Sequence, residues 1–596
     1  MSRSPIPDLT SRRALVAAAL TVAAFAGAMQ MALSWKLVQH GMVDTDDAMR
    51  LFMVHGLLDG AGWFNVHVDR VAPPLGLDMH WSRFVDGGIA VLVLAFRTVL
   101  PRAAAEVAAT SLWPVLWAFP AALGTLLAAR RLGGTAATFA CLVFMLIYQL
   151  AFFAFRPGRI DHDNVQIAFT AIAFAGTLAI DRARWAGLAA GIGTGLALNI
   201  GLEALPLLAL FGAGIGVRLA LDPRLAPAAR QYAVALALAT AVPYVAQTAP
   251  TLLPRAVCDQ IGANLVAGLL VASAGLLALA ALAPRLPGPE VRLAGLAVVG
   301  AAALAVYLAI HPSCVRGPFA DVDPRLFSIW LDHVTEMQSL PAMLHTDPRA
   351  AVGLVTGPFA AVATLGLALT RPWVRRDPAW IVAAVALVVA VLAMAYALRS
   401  GTYAMWFGMP VMAAAIVRIG LFGEPPALIR ATATACLASP LVVTALAVRL
   451  VAGLAAPPPP AHGIGGTSTC TAAPAFAGLD AAAPGLVGGD IDLGPFILLY
   501  TGDSVLGAPY HRDSTGIREA HALMAATPDR ARTLAGEWGL AYLAHCAPAG
   551  PAGTPKDASL AAALDAGTTP PWLTPLSDEG HLQVYRVAPP LRGDQP

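Results

Sequence analysis

Apolar stretches of about 20 residues recur along the first three-quarters of the chain, the length a helix needs to cross a bilayer core of ~30 Å. In lipid every backbone polar group must find its partner inside the fold, so such a chain forms a polytopic α-helical membrane bundle. Composition agrees. Of 596 residues 58% are hydrophobic and 12% charged, about half the roughly 25% charged share of soluble domains. Lys+Arg number 38 against 36 Asp+Glu, a net charge of +2, which leaves no basic excess to hold a nucleic-acid backbone. Nucleic acid is excluded and membrane lipids are the expected surroundings. The six cysteines show no CxxC or Cys/His clustering, so any metal is expected on oxygen ligands.

Spans are expected near 14–34, 107–128, 135–153, 164–180, 186–200, 204–220, 231–246, 260–283, 292–310, 350–370, 379–398, 403–421 and 428–452, about thirteen in all. The first follows Arg12 and Arg13 and shows no clear small-residue cleavage site before Trp35 and Lys36, so it reads as a retained span. Arginines in the loops at Arg130/Arg131, Arg182/Arg184, Arg218/Arg224/Arg230, Arg285/Arg292, Arg371/Arg375/Arg376 and Arg418/Arg430 alternate along the chain and mark the cytoplasmic side. Gly88 to Leu100 is short, contains Arg97 and ends at Pro101, which suits an interfacial segment. The acidic loops 36–86, 154–163 and 311–349 then share the opposite face with the C-terminal tail.

Residues 1–454 therefore read as a membrane domain, 455–460 as a Pro-rich linker and 461–596 as a small extracytoplasmic α/β domain. Strands are expected at Phe496–Thr501, Leu540–His545 and Leu582–Val587, with one helix from about Ile517 to Trp538. Cys470 and Cys546 lie in that domain and Cys258 and Cys314 in outward loops, so each pair is a candidate disulfide in an oxidising compartment.

The few charges of the outward loops carry the chemistry. The first loop holds Asp44, Asp46 and Asp47, then Trp63-Phe64, Pro73-Pro74-Leu75-Gly76 and Asp78-Met79-His80-Trp81-Ser82-Arg83. The second reads Arg156-Pro157-Gly158-Arg159-Ile160-Asp161-His162-Asp163, and the third contains Val334-Thr335-Glu336. Arg399 stands at the outer end of an apolar span. An Asp at a helix start is ordinary capping. Acidic clusters far apart in sequence, brought to one face at the ends of spans, are also what a cation site between helices needs. Carboxylate oxygens suit Mg²⁺ or Mn²⁺, and a guanidinium fork suits phosphate.

In this order the motifs resemble those of the GT-C class of polyprenyl-phosphate-dependent membrane glycosyltransferases, within it most closely the oligosaccharyltransferase catalytic subunit family. Asp44 to Asp47 and His80-Trp81 match the family's first outer loop, Asp161-His162-Asp163 its second-loop acidic motif, and Val334-Thr335-Glu336 loosely its late Glu-bearing motif. The family's W-W-D-Y-G motif has no counterpart, Glu537-Trp538-Gly539 being at best a distant echo. The resemblance implies a GT-C-like bundle with an outward C-terminal domain. It also implies transfer of a sugar from a polyprenyl-phosphate-linked donor to a protein, lipid or glycan acceptor. Asp46, Asp47, Asp161 and Asp163 are then the expected holders of a divalent cation, Mg²⁺ or Mn²⁺. Asp46, Asp47 and Glu336 are the expected catalytic groups, and Arg399, Arg159, His80, Trp81, Arg83 and His162 the substrate contacts. The alternative is a transporter or flippase of a lipid-linked or anionic substrate, for which Glu203, at a break between two spans, would line the path. The single-chain layout and Ala-rich composition point to a bacterial inner membrane.

Overall fold

The computed structural model describes residues 9, 11–42, 44–419, 439–454, 469–547, 557–579 and 581–589. The Pro-rich linker 455–460 and the first part of the expected span 428–452 lie outside the described residues. Among the described residues, eight helices are long and apolar enough to cross a membrane, and shorter apolar helices accompany them.

The bundle opens with α1 (Arg12–His40), which Ser11 caps through its hydroxyl to Ala14 N at 3.1 Å. α2 (Thr45–Leu58) and α3 (Arg83–Arg97) follow in the first loop, and α3 covers most of the short apolar segment 88–100. α4 (Arg102–Ile147) has 46 residues, about twice what one crossing requires. Gly134, at φ 72° and ψ −158°, breaks it into the two spans read from the sequence. α5 (Asp163–Leu178), α6 (Ala186–Ile200), α7 (Leu205–Leu221), α8 (Ala226–Gln247), α9 (Ala263–Leu282) and α10 (Pro289–Ile310) come next. Helices Pro348–Leu369, Pro378–Tyr396, Gly401–Arg418 and Pro440–Leu454 complete the set.

Small residues let these helices approach closely, as is usual where lipid removes the hydrophobic drive for association. Gly187, Gly191 and Gly195 form a stripe along α6 at four-residue spacing. A Cβ on them would lie 2.1 Å from Ala228 O, 2.5 Å from Tyr232 O and 2.7 Å from the Ala239 side chain, all on α8. On the other side, Gly193 would meet Phe169 O of α5 at 2.6 Å. α6 is thereby clamped between α5 and α8, which fixes the chain break at Gly201 to Ala204 beside the start of α5.

The first loop carries a short antiparallel pair, β1 (His67–Val68) and β2 (Leu77–Asp78), and the C-terminal part is a five-stranded sheet in the order β4-β3-β5-β7-β6, formed by β3 (Leu486–Gly489), β4 (Ser504–Val505), β5 (Tyr542–Cys546), β6 (Leu573–Glu579) and β7 (Leu582–Val587). β3 is parallel to β4 and β5, and β7 is antiparallel to β5 and β6. Two expectations change here. Phe496–Thr501 lies in a helix, Gly494–Tyr500, because a short apolar run suits either state and Pro495 in the first turn favours the helix. The single helix expected over 517–538 is two, Ser514–Ala525 and Pro528–Trp538, parted at Ala526-Thr527 before a proline that cannot continue the first. Both candidate disulfides, Cys258–Cys314 and Cys470–Cys546, are formed.

The first loop is annealed to this sheet. Ala72 N donates to Val505 O at 2.8 Å and Val505 N to Arg70 O at 2.8 Å, which extends the edge strand β4. The Arg70 guanidinium donates to the carbonyls of Leu498, Thr501 and Asp503. Met49, Met53, Val71 and Trp81 of the loop share one buried core with Phe476, Phe496, Val505 and Tyr510 of the C-terminal part. The loop residues that carry carboxylates are thus held between the bundle and the sheet.

Candidate active site at the carboxylate end of the bundle

The site begins in the first turn of α2, where the Asp44 side chain caps Asp46 N at 3.0 Å. Asp47, 2% exposed, turns inward. Its Oδ1 accepts from Ile160 N at 2.8 Å and Asp161 N at 2.9 Å, and so clips the second acidic loop to the first. The preceding turn passes through Gly158 at φ +88°, a conformation that favours glycine. Asn164 Nδ2 donates to the carbonyls of Ala154 and Arg159 and holds the loop from the other side.

From there a continuous chain of ion pairs crosses the site. Arg159 lies 2.7 Å from Asp44, 3.3 Å from Asp47, 3.6 Å from Asp161 and 3.7 Å from Asp163. Asp161 meets His162 Nδ1 at 2.7 Å, His162 Nε2 meets Glu203 at 3.2 Å, and Glu203 meets Arg399 at 2.9 Å. Arg399 reaches Glu336 at 3.4 Å with its other nitrogen. Five segments separated by up to 355 positions of sequence, from Asp44 to Arg399, therefore form one belt. Arg50, fully buried, braces it from behind: one nitrogen is 2.7 Å from Asp86, another 3.5 Å from Asp161, and the guanidinium lies over Trp81 at 4.2 Å.

Carboxylates are in excess. Asp44, Asp46, Asp47, Asp161, Asp163, Glu203 and Glu336 share the cations Arg50, Arg156, Arg159, His162 and Arg399, and Arg50 also serves Asp86. Burial, then the negative fields of Asp161, Asp44 and Glu336, pushes the Asp46 carboxyl well above the usual carboxylate range. Arg399 pulls Glu336 down, but burial and the acids Asp163 and Asp161 together leave it raised. Asp161 resists its own burial because His162, Arg159 and Arg50 hold it well below the usual range. His162 likewise stays charged against burial, with Asp161 and Glu203 on its two ring nitrogens. Excess buried negative charge on oxygen is the condition that a hard divalent cation relieves. Ligand atoms of Asp161, His162 and Asp163 lie within 4.8 Å of one another. The His162 ring already donates on both sides, so the fitting donors are carboxylates: Asp161 and Asp163, with Asp46 facing them.

The expected residues divide accordingly. Asp46, Asp161, Asp163, Glu336, Arg159, His162 and Arg399 converge. Asp47 joins them, but its carboxylate is committed to two backbone amides. Trp81 lies between Arg50 and Tyr510, whose hydroxyl donates to Thr45 O at 3.1 Å. His80 lines the cavity described below. Arg83 stands apart, since it pairs with Asp86 at 2.9 Å and donates to the carbonyls of Trp63 and Asn65. Glu537 pairs with Arg530 and Trp538 packs on the C-terminal part's own core, away from the belt. Glu203 is the member that sequence reasoning placed only on a possible path. Its signal was a lone acid between two apolar runs, which calls for a cation such as Arg399.

One side of the belt, His162, Glu203 and Arg399, forms the wall of a cavity of about 1150 Å³. Its other walls are apolar near Leu202, Leu205, Phe327 and Tyr396, and polar near Gln247, Asp259, His511 and Arg512.

No family model matches the chain, and no curated protein matches it. Solved structures do. The oligosaccharyltransferase of Archaeoglobus fulgidus in its apo form superposes with a TM-score of 0.66 at 13% identity, over 90% of this chain and 70% of that one. The same organism's oligosaccharyltransferase AglB, in complex with an inhibitory peptide and a dolichol-phosphate, gives 0.64 at 14% identity over 88% and 69%. A complex of that enzyme with Zn and sulfate gives 0.53 at 14% identity over 88% and 67%. The chain has the GT-C fold. It is an integral membrane protein, and the GT-C fold accounts for the apolar bundle, the carboxylate end and the appended sheet together.

Proposed function

We propose that this protein is a glycosyltransferase that moves a sugar or oligosaccharide from a polyprenyl-phosphate-linked donor to a protein, lipid or glycan acceptor. The reaction takes place on the extracytoplasmic face of a membrane, in a bacterium the inner membrane. Residues 1–454 form the membrane part and 461–596 the outward domain. The observation that carries the reading is the belt from Asp47 to Glu336, with more carboxylates than cations, at the wall of a cavity apolar on one side. The archaeal structure with dolichol-phosphate supports a lipid-phosphate donor, and the one with Zn and sulfate supports a cation and an anion in this fold. The comparisons give the transporter reading no support.

In the reaction the bond between the sugar's anomeric carbon and the donor phosphate oxygen breaks, and a bond from the acceptor forms at that carbon. Arg399, held between Glu203 and Glu336 on the cavity wall, takes the donor phosphate with two parallel N–H donors. His162, kept charged by Asp161 and Glu203, adds a further positive group beside it. Asp46, which makes no ion pair among the described residues, accepts the proton that the acceptor loses in the alternative in which it is not a ligand of the cation. Asp47 positions the second loop through its two backbone contacts. Asp46, Asp161 and Asp163 would hold a divalent cation, Mg²⁺ or Mn²⁺, which when bound neutralises charge at the leaving phosphate.

Membranes containing the protein are expected to transfer labelled sugar from a polyprenyl-phosphate donor, to lose transfer on chelation, and to regain it with Mg²⁺ or Mn²⁺. Transfer that persists after complete chelation would sink the cation assignment. Cells lacking the gene should accumulate the lipid-linked donor, and no accumulation would count against the function itself.

A further inference from the structure

A second group of side chains able to bind a metal lines the same cavity as Arg399 and takes no step in the reaction above. His80 comes from the first loop, Asp259 from the loop that the Cys258–Cys314 disulfide pins, and His511 from the turn before helix Ser514–Ala525. One ligand atom of each lies within 4.8 Å of the others. The rings of His80 and His511 are 4.5 Å apart at 54°, so they meet without stacking. His511 Nε2 is 2.8 Å from Asp259 Oδ2. Nδ1 of His80 is buried and has no hydrogen-bond partner.

We propose that His80, Asp259 and His511 form a site for a borderline divalent cation of the Zn²⁺ class, which joins the membrane part to the C-terminal sheet at the cavity wall. Three arguments support it. The donor set is two imidazoles and one carboxylate, which selects Zn²⁺ and similar ions over the hard cations suited to the all-carboxylate site. The surroundings orient the ligands: Arg512 grips Asp259 at 2.6 and 2.8 Å and also donates to Asp78 O, which leaves the carboxylate fixed toward the two rings. The His80 ring is available, because its Nδ1 is buried and has no hydrogen-bond partner among the described residues. The cysteines nearby are not competing ligands, since Cys258 and Cys314 are joined to each other.

The site is tested on the full-length protein in detergent, stripped of metal and equilibrated with Zn²⁺ in excess Mg²⁺. Metal analysis is expected to find one zinc per chain, lost in His80→Ala and His511→Ala and retained in the double variant Asp161→Asn/Asp163→Asn. Gel filtration checks that each variant is folded. If an alanine variant fails that check, Co²⁺-loaded wild-type protein supplies the readout through visible ligand-field bands of a low-symmetry nitrogen and oxygen site. No retained zinc in the wild type, unchanged zinc in both folded histidine variants, zinc lost from the Asp161/Asp163 variant instead, or Co²⁺ bands of a hexaaquo ion would each overturn the proposal.

Discussion

The two ends of the helix bundle carry buried ionic networks of opposite design. At the arginine end, Arg131 pairs with Asp377 at 2.9 Å and Asp181 at 3.0 Å, and Arg218 meets Asp181 at 2.8 Å and donates to Thr177 O. Three guanidiniums pair with two carboxylates there, since Arg182 also lies 3.8 Å from Asp181, and Arg418 adds a bond to Leu132 O. At the carboxylate end, seven acids share five cations and the belt opens on a cavity. A network in which every carboxylate is paired, and which does not line the cavity beside Arg399, ties helices together. An unbalanced one beside a cavity keeps charge in reserve for a ligand, because each buried acid without a partner remains costly until a cation or proton arrives.

The sharpest way to break this contrast is to neutralise an acid at each end and compare. Asp161→Asn or Asp163→Asn is expected to lower sugar transfer by about 10²-fold or more while the protein still inserts and accumulates, since charge stabilisation at a leaving group is worth that much. Quantitative transfer assays on membranes with matched protein levels check it, and near wild-type rates in both variants would erase the distinction between the ends. Next in size, Arg399→Lys replaces a two-pronged donor by a point charge that cannot span Glu203 and Glu336. The Michaelis constant for the lipid-linked donor should rise about tenfold. Asp377→Asn at the other end should leave the specific transfer rate unaltered and cost about 1–3 kcal/mol of stability, because it strands part of Arg131. Thermal unfolding in detergent measures this.

The smallest expected effect lies in the C-terminal sheet. His545 is raised to about 9: burial opposes its charge, but hydrogen bonds to Asp490 and Asp565 outweigh it. A folded value above the unfolded one of roughly 6.5 means that the stabilisation is complete below that pH and is lost as pH rises through about 9. On the order of 1 kcal/mol of stability should disappear over that window, and His545→Gln should flatten the profile. A stability profile that is flat in the wild type, or equally steep in the variant, would remove His545 as its source.

Much of the site could be read in the sequence because charge is scarce. Asp46, Asp161, Asp163, Glu336 and Arg399 stand at the ends of apolar runs, where a charge needs a reason. Arg83 looked equivalent to them on those grounds, and only its burial against Asp86 separates it. The role of Glu203 depended on knowing which cation faces it across 196 positions. The joint core of the first loop and the sheet had no signature, since main-chain pairing of residues 70–72 with Val505 leaves no mark on side-chain pattern.

By itself the sequence determined the membrane bundle and gathered acids on one face and arginines on the other. Hydropathy and charge act locally there, through the cost of placing each residue type in lipid or water. Tertiary structure alone decided which acids are neutralised and which remain in excess. It also decided that Asp47 positions a loop while Asp46 stays free, and that His80, Asp259 and His511 meet. Those outcomes are set by distances of a few ångströms between residues far apart in the chain, and electrostatic energy in a buried site depends on those distances rather than on sequence position.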